Sequence, residues 1–437
     1  MKNTKTNLIV AGIVALMPVM INSVNAKNSN NIEQLQKEIN ALKKRIDDIS
    51  SQDKYNEIKN HILNDIKFYG KLHLEVLDSS NDGNTYGLLG GNVAEKRYIN
   101  SQITSLEFGG QKKLSEKSSF IFNIKSTQEY IKFKEVFLSY NIMSKLTVDF
   151  GQMSINLSLE DENSSNGESL ISDTRYYSTG DLFFTKGVGI KLKYNDIYGG
   201  FITGVYGNSY TDKISEINRT TFNFRGYINP YKEENNVIHL GASYFNSVVD
   251  DSKEHKIPDQ TLQDFTQNKN LSYTLKQTES MAFEFAANHN WFNFQTEYMK
   301  GYITPSSKLY QERFNISNYY ARVGFMLTGE TIEYRHGSFG NVKVANPINE
   351  GGFGAFELSF RFANTDLQDI KSNKMFDYGK YEEYSASLSW IPMDFVKIVL
   401  QYSKIEEKFI NPFAIAVNNK NKNNDYNVVA LKGKIFF

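Results

Sequence analysis

An all-β transmembrane barrel of about 16 antiparallel strands, preceded by a short α-helical coiled coil, is the fold class predicted here. Three observations predict it. The 437 residues include 27 Tyr, 31 Phe and 29 Gly but only 7 Pro, and aromatics suit pleated surfaces. Apolar and polar residues alternate with period two along stretch after stretch. The chain closes on such a stretch, Val428–Phe437, ending in an aromatic residue. Charged residues make up 22% of the chain, too many for a bundle of apolar helices. With 49 basic and 49 acidic side chains, no strongly charged partner is implied, nucleic acid included. The absence of cysteine excludes disulfides, thiolate metal sites and a cysteine nucleophile.

Residues 1–26 read as a secretory signal peptide. Lys2 and Lys5 form the basic start, Leu8 to Met20 the apolar stretch, and Val24-Asn25-Ala26 a small-residue cleavage site. The apolar run is shorter than the ~20 residues that a helix needs to cross a bilayer. Residues 27–64 form a second segment, expected in the periplasm. Ile32, Leu35, Ile39, Leu42, Ile46 and Ile49 follow a 3–4 spacing, the a/d stripe of a coiled coil, with Glu38 and Lys43 at its flanks. Residues 65–437 form the barrel. Alternating stretches fall near 66–77, 101–110, 118–125, 131–140, 146–153, 186–194, 197–207, 219–229, 237–246, 280–287, 291–300, 317–328, 354–362, 381–391, 395–403 and 426–437. Connections alternate short and long, the rhythm of periplasmic turns and outer loops. The connection 329–353 is too long for its place, and an extra hairpin there would raise the count to 18.

Several blocks carry a resemblance. They are Phe283–Ala287 with Phe292–Met299, Tyr319–Glu330, Gly354–Leu358 with Arg361, Leu388-Ser389-Trp390, and Gly151-Gln152-Met153 with Ser158-Leu159-Glu160. Together they resemble the phosphate-selective porin O/P family over roughly 66–437. The resemblance implies a homotrimeric, sixteen-stranded outer-membrane channel, often preceded by a coiled coil. Some members of that family pass phosphate or polyphosphate along rows of Arg and Lys.

A porin breaks no bonds, and its selectivity comes from pore width and lumen charge. By strand parity, Lys71, Lys191, Lys193, Arg219, Arg225, Arg322, Arg361, Lys397, Lys432 and Lys434 point inward. So do Glu75, Asp149, Glu284, Glu297, Glu357 and Glu383. The nine arginines form no row visible in the sequence. The loop 154–185 is acidic, with Glu160, Asp161 and Glu162 against Arg175, and is expected to fold into the lumen. There it would face Lys191, Lys193 and Arg225, which have no evident acid nearby. Arg322 and Arg361 complete the pore candidates, although Glu297, Arg322 and Glu357 could equally pair across the ladder. Six histidines show no metal spacing, and Gly87–Gly91 lacks the Lys-Ser/Thr of a P-loop. No catalytic residue, cofactor or metal is therefore expected. The expected function is passive diffusion of small hydrophilic solutes and ions through the outer membrane, phosphate and other anions among them. The alternatives are a general or cation-preferring porin, a specific iron or siderophore channel, and a barrel-anchored adhesin.

Overall fold

The computed structural model describes residues 37, 40, 66–81, 85–86, 92–93, 98–126, 131–163, 185–208, 219–249, 254–257, 271–305, 313–366, 377–410 and 422–437. By its contacts the chain divides into Met1–Lys67 and Phe68–Phe437. In the first unit, Lys37 and Asn40 are helical and exposed. They take f and b positions of the heptad, where a coiled coil meets water. The a/d seam and the leader of residues 1–26 lie outside the described residues.

The second unit is a closed antiparallel barrel. Its strands are β1 (Ile66–Asn81), β2 (Tyr98–Lys113), β3 (Ser118–Ser126), β4 (Ile131–Met143), β5 (Leu146–Ser154), β6 (Lys186–Asp196), β7 (Gly199–Tyr206) and β8 (Arg219–Glu233). They continue with β9 (Asn236–Val249), β10 (Leu271–His289), β11 (Phe292–Pro305), β12 (Phe314–Met326), β13 (Ala355–Asp366), β14 (Asp377–Met393), β15 (Val396–Ile410) and β16 (Lys422–Phe436). Each strand pairs with its neighbours in sequence, and β1 pairs with β16 from Lys71↔Phe436 to Asn81↔Tyr426, closing the ring. Closure leaves no strand edge unpaired, which a bilayer demands. Every predicted stretch corresponds to one of these strands.

Burial alternates along the wall. On β8, Arg219, Thr221, Asn223 and Arg225 are buried, while Thr220, Phe222 and Phe224 are exposed. The apolar side faces out, the reverse of a soluble protein and the pattern of a barrel in lipid. At the short-turn end, exposed Tyr198, Trp291, Phe395 and Phe437 form an aromatic rim. Tyr319 belongs to a second rim, but its neighbour Tyr320 is buried and points inward.

Parity slips once where it matters. Asn123 on β3 pairs with Glu135 on β4, but Ile124 pairs with Phe133, so Lys134 is an extra residue. This bulge turns Lys132, Lys134 and Glu135 toward the inside.

The long connection between β12 and β13 is no part of the wall. Its residues Ile332–Arg335 and Ser338–Val342 pair only with each other, so the wall has sixteen strands and not eighteen. The hairpin turns through His336 (φ 50°) and Gly337 (φ 77°), the two positive angles of a type I′ turn. It folds inside the barrel. Ile332, Tyr334, Phe339, Val342 and Val344 form one buried cluster with Leu159 of the loop after β5 and with the inward wall residues Val237, Ala286, Ala355 and Ile391. A sixteen-stranded barrel is wide enough to hold an aqueous channel. Here one side of that interior is filled by two inserts that share an apolar core.

Candidate functional site

The first insert is the segment 155–163, which leaves β5 and crosses the inside of the wall. Its path is set by a succession of polar contacts. Lys191 on β6 donates its ammonium to the Ser154 carbonyl and to Asn156 Oδ1, both at 3.1 Å. Asn223 on β8 donates to the Asn156 carbonyl at 2.8 Å, and Ser243 on β9 to the Leu157 carbonyl at 2.5 Å. The Glu160 amide donates to Glu297 Oε1 on β11 at 2.8 Å, and Asn163 Nδ2 to Gln295 Oε1 at 3.0 Å. Arg361 on β13 holds the Glu160 carboxylate at 3.0 Å and lies 4.7 Å from the centre of the Tyr320 ring. Tyr320 in turn donates its hydroxyl to Glu297 at 2.6 Å. A segment whose backbone leaves the wall must find partners for its amides and carbonyls, and these side chains supply them.

The second insert, the hairpin, enters from the short-turn end. Arg225 on β8 forms a bidentate pair with Glu284 on β10 at 2.8 and 2.7 Å and donates to the Gly337 carbonyl at 2.8 Å. His239 on β9 bridges Glu284 at 2.9 Å and the Tyr334 hydroxyl at 2.6 Å. Tyr334 donates to Asn229 at 2.7 Å. Burial pushes the Tyr334 phenol well up, and the neighbouring Tyr227 adds to it, so it stays a donor. The two inserts meet where the Phe339 amide donates to Asn163 Oδ1 at 2.8 Å.

The acidic residues of the loop act separately. Glu160 is paired with Arg361. Asp161 folds back and accepts the Leu157 amide at 3.1 Å. Burial, then the adjacent Glu162, pushes its carboxyl up to about 7. Glu162 is also raised by burial, against the pull of Arg225, Lys191 and Lys193, and so faces the basic wall. Arg175 lies outside the described residues.

Several expectations need correction. Arg225 has an acid at hand, since Glu284 stands across from Gly241, two positions from His239 in the wall register, and neither side chain of the Arg225–Glu284 pair is accessible. Lys193 pairs with Asp149 at 2.6 Å. Lys191 is 6% exposed and fastens the loop. Arg322 donates to Asn293 at 3.2 Å and approaches Glu357 at 3.9 Å, while Glu357 pairs with Lys397 at 3.3 Å. Glu297 takes no part in that ladder. Arg322 and Arg361 stand directly across from each other, a basic pair hidden by their separation in sequence.

A second set of partly accessible charges lies on the opposite side, along β1 to β6. Lys125 stands directly across from Glu107 on β2 and from Lys132 on β4. Lys71 and Lys134 both reach Glu107, at 3.3 and 3.1 Å. Lys71, Lys125, Lys132, Lys134 and Lys193 all keep part of their surface open, whereas Glu107 is 4% and Asp149 0% exposed. The sequence reading missed Lys125, Lys132, Lys134 and Glu107. The Lys132-Phe133-Lys134 alternation was a usable signal, masked by the bulge.

A closed, lipid-facing barrel with inward charges and a lumen narrowed by two inserts defines a porin, a passive channel for small hydrophilic solutes in the outer membrane. The family model for "Phosphate-selective porin O and P" matches residues 82–422, and the chain belongs to that family. It is 23% identical to Porin O of Pseudomonas aeruginosa over 347 residues, 72% of this chain and 77% of that protein. An uncharacterized protein of Caulobacter vibrioides is 32% identical over 109 residues, 25% of this chain and 20% of that protein. The fold is similar to OprB of Pseudomonas putida (TM-score 0.54, 11% identity, 88% of this chain and 97% of that one). It is also similar to OmpT of Vibrio cholerae (0.52, 8%, 85% and 97%) and to an anion-selective porin from Comamonas acidovorans (0.51, 9%, 85% and 99%).

Proposed function

We propose that the channel prefers small anions, phosphate among them, without a tight phosphate site. One observation carries this reading. Among the described residues open to the interior between β1 and β6, Lys71, Lys125, Lys132, Lys134 and Lys193 outnumber the half-buried Glu135, and the carboxylates of Glu107 and Asp149 beneath them are buried. Solutes in that water path meet ammonium groups within a Debye length, about 8 Å at physiological salt. The acidic loop does not reverse the sign, because Glu160 is spent on Arg361 and Asp161 on its own backbone. Cation preference is the weaker alternative for that reason. The similar porin from Comamonas acidovorans is anion-selective, which agrees with the proposal. We further propose residues 1–26 as a cleaved signal peptide and 27–64 as a periplasmic coiled coil that joins a homotrimer. A trimer form is known for the similar OmpT of Vibrio cholerae.

The test is reversal potential in planar bilayers under a salt gradient. Lys125→Glu with Lys132→Glu should move the wild-type anion preference to cation preference. An unchanged reversal potential would refute these lysines as the source of selectivity, and micromolar phosphate block of the chloride current would refute the absence of a tight site.

A further inference from the structure

The outward face of the barrel near its long-loop end carries charge above the apolar belt. Most of that charge is matched within its own strand: Lys380 pairs with Glu382 and Lys404 with Glu406, both at 2.7 Å. Lys300 on β11 differs. Among the described residues its ammonium has no carboxylate. Its neighbours across the ladder are Met281 and Ser317. It is exposed on the same face as Tyr298, with its Nζ 5.5 Å from the centre of the Tyr302 ring. The guanidinium carbon of Arg313 lies 3.7 Å from the centre of that same ring. One aromatic platform thus positions two cations. The nearby acid, Glu279, is already engaged by Arg313 and accepts the Tyr244 hydroxyl at 3.3 Å. Among the described residues, two cations and one acid leave the patch with a surplus positive charge.

Its height decides what that charge meets. One ladder step below Lys300 on this face lie Phe283, Tyr298 and Tyr319, 58%, 45% and 40% exposed. Aromatic rims of this kind sit where hydrocarbon gives way to headgroups. An ammonium there is only partly hydrated and attracts anionic headgroups. We propose that Lys300 and Arg313, held on Tyr302, bind a phosphate of an outer-leaflet lipid headgroup. The proposal rests on the barrel spanning the outer membrane.

The full-length protein in detergent is titrated with bisphosphorylated lipid A, and bound lipid is counted by native mass spectrometry. Lys300→Gln with Arg313→Gln should weaken binding by about 25-fold, from about fivefold for each cation near an anionic lipid surface. Removing the phosphates from the lipid should weaken its binding to the wild type by a similar factor. Equal binding of lipid A by the variant overturns the proposal, as does equal binding of the dephosphorylated lipid. Displacement of lipid A by millimolar inorganic phosphate would make this a small-anion site and overturn the lipid assignment. Should the double variant fail to fold, Lys300→Gln alone is expected to lose about fivefold, and no loss overturns the proposal. Channel conductance of the same samples separates the two readings. A conducting variant that keeps its lipid refutes the lipid site alone, whereas a wild type that forms no channel refutes the porin.

Discussion

Arg225→Ala should release the hairpin from the lumen. In the wild type this guanidinium makes two bonds to Glu284 and one to the Gly337 carbonyl, all between 2.7 and 2.8 Å, and none of the pair is accessible. Alanine would leave the Glu284 carboxylate buried with only His239 beside it and would free the hairpin tip. Breaking one partner of a buried pair costs about 3–5 kcal/mol. At 1.4 kcal/mol per power of ten, the open-to-closed ratio of the hairpin should rise by roughly two to three and a half powers of ten. Hydrogen exchange reads this directly, because protection of an amide reports the free energy of the local opening. Amides of 332–342 should lose at least about 100-fold of their protection, Phe339 included, while the β15–β16 ladder keeps its own. Single-channel records should show larger and noisier conductance. Replacing Arg225 and Glu284 together by methionine leaves no orphan charge and should cost much less. Unchanged hairpin protection in Arg225→Ala would show that the apolar cluster alone holds the insert, and the reasoning from the ion pair would be wrong.

Three other outcomes are expected. The Asp161 carboxyl is raised to about 7 from 3.8 by burial and by Glu162, so the packed loop favours its protonated form. That stabilisation is complete below pH 3.8 and is lost as pH rises through about 7. Current fluctuations should therefore grow between pH 5 and 8 and flatten in Asp161→Asn; identical profiles would remove Asp161 from loop anchoring. Ile39→Asp with Leu42→Asp should lower the melting temperature of the oligomer while the barrel still inserts, since both lie on the apolar stripe; an unchanged melt would mean the helix joins no other chain. Gly70→Val should disturb the closing seam, because a Cβ there would lie 2.5 Å from the Phe437 ring. Slower insertion and loss of heat-modifiable mobility on gels are expected, and wild-type assembly would show that Phe437 moves aside freely.

The wall was legible because lipid imposes period two on every strand, and a long run of agreeing stretches leaves little room for another fold. Strand ends were less legible. β10 runs from Leu271 to His289, well past the predicted 280–287, because beyond the bilayer nothing obliges its residues to alternate. The inserts could not be read from periodicity. Thr331–Val342 alternates like any strand, and only its position between two wall strands hinted at a different fate. Lumen charges were legible by parity but their pairing was not. Arg225 and Glu284 are far apart in sequence, and their contact exists only because β9 lies between β8 and β10 and leaves the two side chains on one inner face.

The bulge at Lys134 shows how this limit bears on function. A single extra residue shifts the inward parity of β4, so counting from Leu138 places Lys132 and Lys134 in lipid. Counting from Ile131 places them in the lumen, where Glu107 and Lys125 stand across the ladder. The sequence permits both counts. The energetics do not, because ammonium groups on the lipid face carry a cost that grows with depth and would forgo the Glu107 carboxylate that Lys134 reaches at 3.1 Å, whereas one unpaired bulge residue costs a local disruption of the ladder. The bulge is therefore the cheaper arrangement, and it sets these lysines beside the water path. Deleting one residue at this point, Lys134 itself, should restore a regular ladder at the expense of one inward cation. A lower anion preference in a barrel that still assembles is the expected result, and an unaltered reversal potential would mean that Lys134 contributes nothing to the field that solutes meet.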